Sequence, residues 1–185
     1  QHHSGLTQIN TETVSDLGLA WAVDLPTRDG LVGNPLISNG RIFQSGSQSQ
    51  VFANDLKTGK LLWTFEPLAD RPPNSFLETW LRSLNRGLAL YEDLVIVGTS
   101  DCRLVAIDQE TGVEQWQVET CDSEQAYMIS GAPRVGGGKV FIGNSCADMG
   151  LNRGHVDAVD AKTGEHLWRF YTVPGDPREP QDSEL

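Results

Sequence analysis

Short apolar runs alternate with turn residues along the chain, and the alternation has a long period. Ile42-Phe43, Leu94-Val95-Ile96-Val97 and Val140-Phe141-Ile142 each follow a turn pair: Asn39-Gly40, Glu92-Asp93 or Gly137-Gly138. Each is followed by a polar turn, then by a second β-rich run (VFAND, LVAID, VDAVD), then by a strand ending in Trp63, Trp116 or Trp168. The pattern predicts units of four short antiparallel strands joined by tight turns. The three units share the skeleton A-x-D-x-x-T-G-x-x-x-W, starting at Ala53, Ala106 and Ala158, and their tryptophans stand 53 and 52 residues apart. A period of this length marks one supersecondary unit repeated as an array.

Each part of the motif has a physical role. The Asp carboxylate accepts backbone N–H groups within the turn, Thr does so more weakly, and Gly supplies φ > 0. A lone unit cannot bury the indole, which predicts that each Trp docks on the neighbouring unit with its N–H bonded there. Trp21 ends a similar run, Leu17 to Trp21, without the D-x-x-T-G turn, and reads as an orphan fourth strand over about 15–25. The expected class is an all-β propeller: the orphan strand, then blades at about 34–66, 87–119 and 131–172. Three blades and one strand do not close a ring, so the chain is expected to be part of a longer protein. Residues 173–185 read as an acidic, turn-rich excursion between blades.

The formal charge of −11, without a Lys/Arg run, argues against nucleic acid as a partner. No apolar run reaches the roughly 18 residues of a membrane span. A leader removed before Gln1 would leave no trace here. Cys102 and Cys121 pair if their loops meet, which sequence leaves open, and one of the three cysteines stays over. His2, His3, His155 and His166 are scattered and read as surface residues rather than general bases.

Function is expected where the repeat is broken. Insertions at 66–86, with a short helix at 75–84, and at 120–130 join consecutive blades on one rim, where a rigid scaffold carries functional loops. The turn from Gly143 to Gly154 is expanded, rich in small residues and holds one carboxylate, Asp148. Small residues admit a flat ligand, and a carboxylate among carbonyls suits a hard cation, although a lone Asp is also an ordinary turn cap.

Asn85-Arg86-Gly87, Ser130-Gly131-Ala132-Pro133-Arg134-Val135, the Gly143-Asn144…Ala147-Asp148…Gly150 turn and Trp168 through Pro177 together resemble the pyrroloquinoline-quinone (PQQ)-dependent alcohol dehydrogenases. The resemblance covers essentially the whole chain. It implies an eight-bladed propeller, a periplasmic location, PQQ on the axis beside Ca²⁺ or a lanthanide, an alcohol substrate and a cytochrome c-type electron acceptor. The metal acts in that family as a Lewis acid while hydride passes to the quinone. The resemblance further implies that Arg86 meets quinone oxygens, that Ser130 replaces a quinone-bonding Thr, and that Ser145, Cys146 and Ala147 line the quinone's acidic edge. Asp148 stands at the metal-binding Glu. The family's catalytic Asp and the Trp under the quinone come from later blades, so no catalytic residue is expected in this chain.

Three positions depart from the family. Its vicinal Cys-Cys upstream of N-R-G is Trp80 and Leu81 here, and a quinone-bonding Glu is Val32. Trp80 either stacks on the quinone in place of the disulfide or packs under its own loop. An alternative to the dehydrogenase is a non-catalytic propeller scaffold that binds protein partners, as in outer-membrane assembly lipoproteins carrying the same repeat.

Overall fold

In a computed structural model, the described residues are 5–70, 79–80, 82–125, 127–145, 153–173 and 175. Twelve strands form three four-stranded antiparallel sheets, each a simple meander. Blade one comprises β1 (Leu36–Ser38), β2 (Arg41–Ser45), β3 (Val51–Asp55) and β4 (Leu61–Phe65). Blade two comprises β5 (Leu88–Tyr91), β6 (Leu94–Gly98), β7 (Arg103–Asp108) and β8 (Glu114–Glu119). Blade three comprises β9 (Arg134–Gly136), β10 (Lys139–Gly143), β11 (His155–Asp160) and β12 (His166–Tyr171).

The middle blade shows why its strands read as unbroken apolar runs. Side chains alternate faces along a strand. Val95, Val97, Val105 and Ile107 pack with Phe43, Val51 and Ala53 of blade one. The intervening Ile96, Leu104 and Ala106 pack with Val140, Ile142 and Val159 of blade three. Both faces are buried, and each such side chain contributes about 1.5–3 kcal/mol.

The repeated motif ties the blades together at the rim opposite the insertions. Asp55, Asp108 and Asp160 each accept two backbone N–H groups and the Thr hydroxyl of their own turn. These bonds, from Thr58, Thr111 and Thr163 above all, hold the three carboxyls below the usual range. Gly59, Gly112 and Gly164 sit at φ 74°, 73° and 76°. A Cβ on them would fall 2.6, 2.8 and 2.8 Å from Trp21, Trp63 and Trp116 respectively. The glycine is therefore needed twice, for its φ and as the seat of the preceding blade's indole. Trp21 and Trp63 donate to Leu56 O and Gln109 O at 3.0 and 3.2 Å, whereas the buried Nε1 of Trp116 has no partner among the described residues. The motif's Ala lies opposite Trp63, Trp116 and Trp168 in the ladder, and a one-residue register slip follows each Ala.

Trp21 thus docks like the blade tryptophans, but residues 17–25 are not a strand. A fourth strand over about 15–25 needs a third strand as its ladder partner, and none of the described residues pairs with it in a sheet. Cys102 and Cys121 form a disulfide, which the spacing had left open. Of the helix expected at 75–84, Thr79, Trp80 and Arg82 are helical and the rest lies largely outside the described residues.

Candidate cofactor site

β2, β6 and β10 all run toward the rim that carries the insertions, and β5 and β9 start from it, so N-R-G, S-G-A-P and the expanded turn share one end of the blades. Asn85, 2% exposed, locks the N-R-G turn. Its Nδ2 donates to Gly98 O at 2.9 Å and its Oδ1 accepts Gly87 N–H at 3.1 Å. Gly87 takes φ 135° and bridges Asn34 of blade one. Arg86, between these anchors, is left exposed with its direction fixed.

The backbone N–H of Arg86 donates to Ser130 O at 3.0 Å, and its Nη1 donates to Ser130 Oγ. Ser130 Oγ lies 3.0 Å from Ser145 Oγ, and Ser145 N–H reaches Met128 O at 2.7 Å. Three side chains from three separate interruptions of the repeat therefore meet. Because guanidinium only donates, Ser130 Oγ accepts from it and can donate its own O–H to Ser145 Oγ, whose O–H is then available to a ligand acceptor. Arg86, Ser130, Ala132, Arg134, Asn144 and Ser145 line an open pocket of about 390 Å³. Two guanidiniums and outward-polarised hydroxyls suit a flat, oxygen-rich anion, which is the chemistry of PQQ with its carboxylates and quinone oxygens.

The other expected residues are placed differently. Cys146, Ala147 and Asp148 lie outside the described residues. Trp80 is 57% exposed and is not among the residues lining the pocket. Val32 is also exposed, and its neighbour Gly33 packs against Gly87 of the N-R-G turn.

One buried cluster escaped the sequence reading. His155 is 4% exposed, not a surface residue, because its ring packs between Tyr127 and Tyr171 at 5.7 and 5.8 Å. Its Nε2 and those of its neighbours surround Asp157, which is 1% exposed. His166 Nε2, Arg169 Nε and His155 Nε2 approach the carboxylate at 2.7, 2.8 and 3.2 Å. Burial pushes the Asp157 carboxyl up, more than any single bond pulls it down, but the donors from His155, Arg169 and His166 together hold it below the usual range. Asp101 and Arg103 form a second shielded ion pair, at 2.8 Å, and Arg103 Nη2 also holds Pro67 O of the first insertion at 2.9 Å.

Comparison with known proteins places the chain in a family. The family model "Glucose/ethanol/alcohol dehydrogenase, beta-propeller domain" (PQQ) matches residues 1–184. Lupanine 17-hydroxylase [cytochrome c] of Pseudomonas sp is 50% identical over 187 residues, covering 100% of this chain and 27% of the relative. The crystal structure of the quinohemoprotein alcohol dehydrogenase from Comamonas testosteroni superposes with a TM-score of 0.86 at 42% identity, over 98% of this chain and 27% of that one. A europium-containing methanol dehydrogenase superposes with a TM-score of 0.80 at 32% identity, over 95% of this chain and 30% of that one. The chain spans about a quarter of the length of the relatives it matches. It belongs to the PQQ-dependent glucose/ethanol/alcohol dehydrogenase β-propeller family.

Proposed function

We propose that the full-length protein is a PQQ- and metal-dependent dehydrogenase that oxidises an alcohol, with this chain supplying one wall of the cofactor site. The observation that carries this reading is the convergence of Arg86, Ser130 and Ser145 on one pocket. When bound, the quinone supplies a two-electron acceptor and the metal a Lewis acid. Arg86 holds a fixed positive charge at the pocket wall. Ser130 and Ser145 orient acceptor oxygens in line with it. Cys146 and Ala147 are proposed to add backbone N–H donors, and Asp148 to ligate Ca²⁺ or a lanthanide. Trp80, with its indole more than half exposed, is proposed to stack on the quinone face in place of the family's vicinal disulfide.

No helix among the described residues is long and apolar enough to cross a membrane. A periplasmic location and a cytochrome c-type acceptor are proposed on the family relationship, and the lupanine hydroxylase name adds that compound to the substrates worth assaying. The test is reconstitution of the full-length apoprotein with PQQ and Ca²⁺ or a lanthanide, followed by dye reduction across primary alcohols, polyols and lupanine. Quinone absorbance with turnover of at least one substrate is expected. A protein that takes up no quinone and reduces no dye is the scaffold instead.

A further inference from the structure

The Asp157 cluster reaches the two segments that lead to Ser130 and Ser145. His155 Nε2 and Arg169 Nη2 reach Thr120 O at 3.0 and 2.8 Å, in addition to Asp157. Carbonyl and carboxylate oxygens only accept, so Nε2 of His155 is the donor to both. Thr120 begins the 120–130 connection that ends in Ser130. On the other segment, His155 N–H donates to Asn144 Oδ1 at 2.8 Å, and Asn144 precedes Ser145. Tyr127 and Arg153 link the same two segments, the Arg153 N–H donating to Tyr127 Oη at 2.8 Å.

The blade itself does not require this carboxylate. Asp157 lies opposite Arg169, as Phe52 lies opposite Thr64 and Val105 opposite Gln117 in the other two sheets. Phe52 and Val105 are fully buried apolar side chains. A buried ion cluster is no better for stability than such packing and is often worse. The polar substitution is confined to the blade whose rim turn is expanded.

We propose that Asp157 is a positioning residue for the cofactor pocket. Through the His155 ring and Arg169 it fixes Thr120, and by seating that ring it holds the His155 backbone whose N–H bonds Asn144, and so sets the spacing of Ser130 and Ser145. This rests on the quinone-binding reading above.

The test is a double-mutant cycle on the full-length apoprotein, read as PQQ affinity in the presence of Ca²⁺ by absorbance titration, with thermal midpoints measured alongside. Asp157→Asn is expected to weaken quinone binding about tenfold in the wild-type background and less than about threefold when Ser130→Ala is already present, because the two act on one contact. Equal factors in both backgrounds, or a lowered midpoint with unchanged affinity, overturn the proposal while leaving quinone binding intact. A wild-type apoprotein that binds no quinone overturns both. If Asp157→Asn does not fold, Arg169→Lys releases the same carbonyl, with the same outcomes expected.

Discussion

Substituting Gly112 by Ala isolates the contact that joins one blade to the next. The new Cβ would lie 2.8 Å from Trp63 Cγ and Cδ2 and 3.1 Å from Cε3, so the indole must retreat by several tenths of an ångström. A gap of that size forfeits about a quarter to a half of the ring's dispersion contacts, on the order of 1 kcal/mol for a half-buried Trp. The 3.2 Å bond from Trp63 Nε1 to Gln109 O is lost with it, about 1 kcal/mol more. Holding Ala at φ 73° adds about 1–2 kcal/mol. The expected total is about 3–4 kcal/mol in equilibrium urea unfolding of the full-length protein. Gly40 gives the control. It has φ +73° but nothing within 4 Å of its Cβ position, so Gly40→Ala should show only the backbone part, about 1–2 kcal/mol. In a Trp63→Ala background, Gly112→Ala should fall to that same value. Equal costs for Gly112→Ala and Gly40→Ala in the wild-type background would refute the docking account.

Asp157 has a depressed folded-state pKa, so its stabilisation is fully present above its unfolded value near 3.8 and is lost as pH falls through the folded value. The part of the thermal-midpoint difference between wild type and Asp157→Asn that rests on the Asp157 charge should therefore shrink as pH falls below about 4. A difference that grows below about pH 4 contradicts the assignment. Replacing Cys102 and Cys121 together by Ser opens a loop with a sequence separation of 19 and should cost about 3 kcal/mol in urea unfolding. Hydrogen exchange should quicken first at residues 120–125, and undiminished stability would mean that the Thr120 clamp alone fixes this segment.

The blades were legible because every repeat carries the same local chemistry: Asp55, Asp108 and Asp160 close identical turns. The convergence of Arg86, Ser130 and Ser145 was legible because their places in the repeat put them on one rim before any contact was known. The Asp157 cluster was not. In His155-Val156-Asp157-Ala158 the polar residues read as the solvent face of a strand. Their partners His166 and Arg169 come into register only once β11 and β12 pair. Aligning the blades gives the one available signal, a carboxylate where Phe52 and Val105 are apolar. The Cys102–Cys121 bond depended on two loops meeting, which spacing does not determine. Trp21 docks on Gly59 as its pattern reports, and because that contact needs no ladder, residues 17–25 make it without strand pairing among the described residues.

Equilibrium titration of the full-length apoprotein with PQQ in the presence of Ca²⁺ or a lanthanide tests the central claim most directly, with Arg86→Ala measured beside wild type. One quinone bound by wild type and an affinity lowered about ten- to a hundredfold by Arg86→Ala are expected, the value of one charge-assisted hydrogen bond. No binding by wild type, or equal affinity in the two proteins, would contradict the assignment of this rim as the cofactor site.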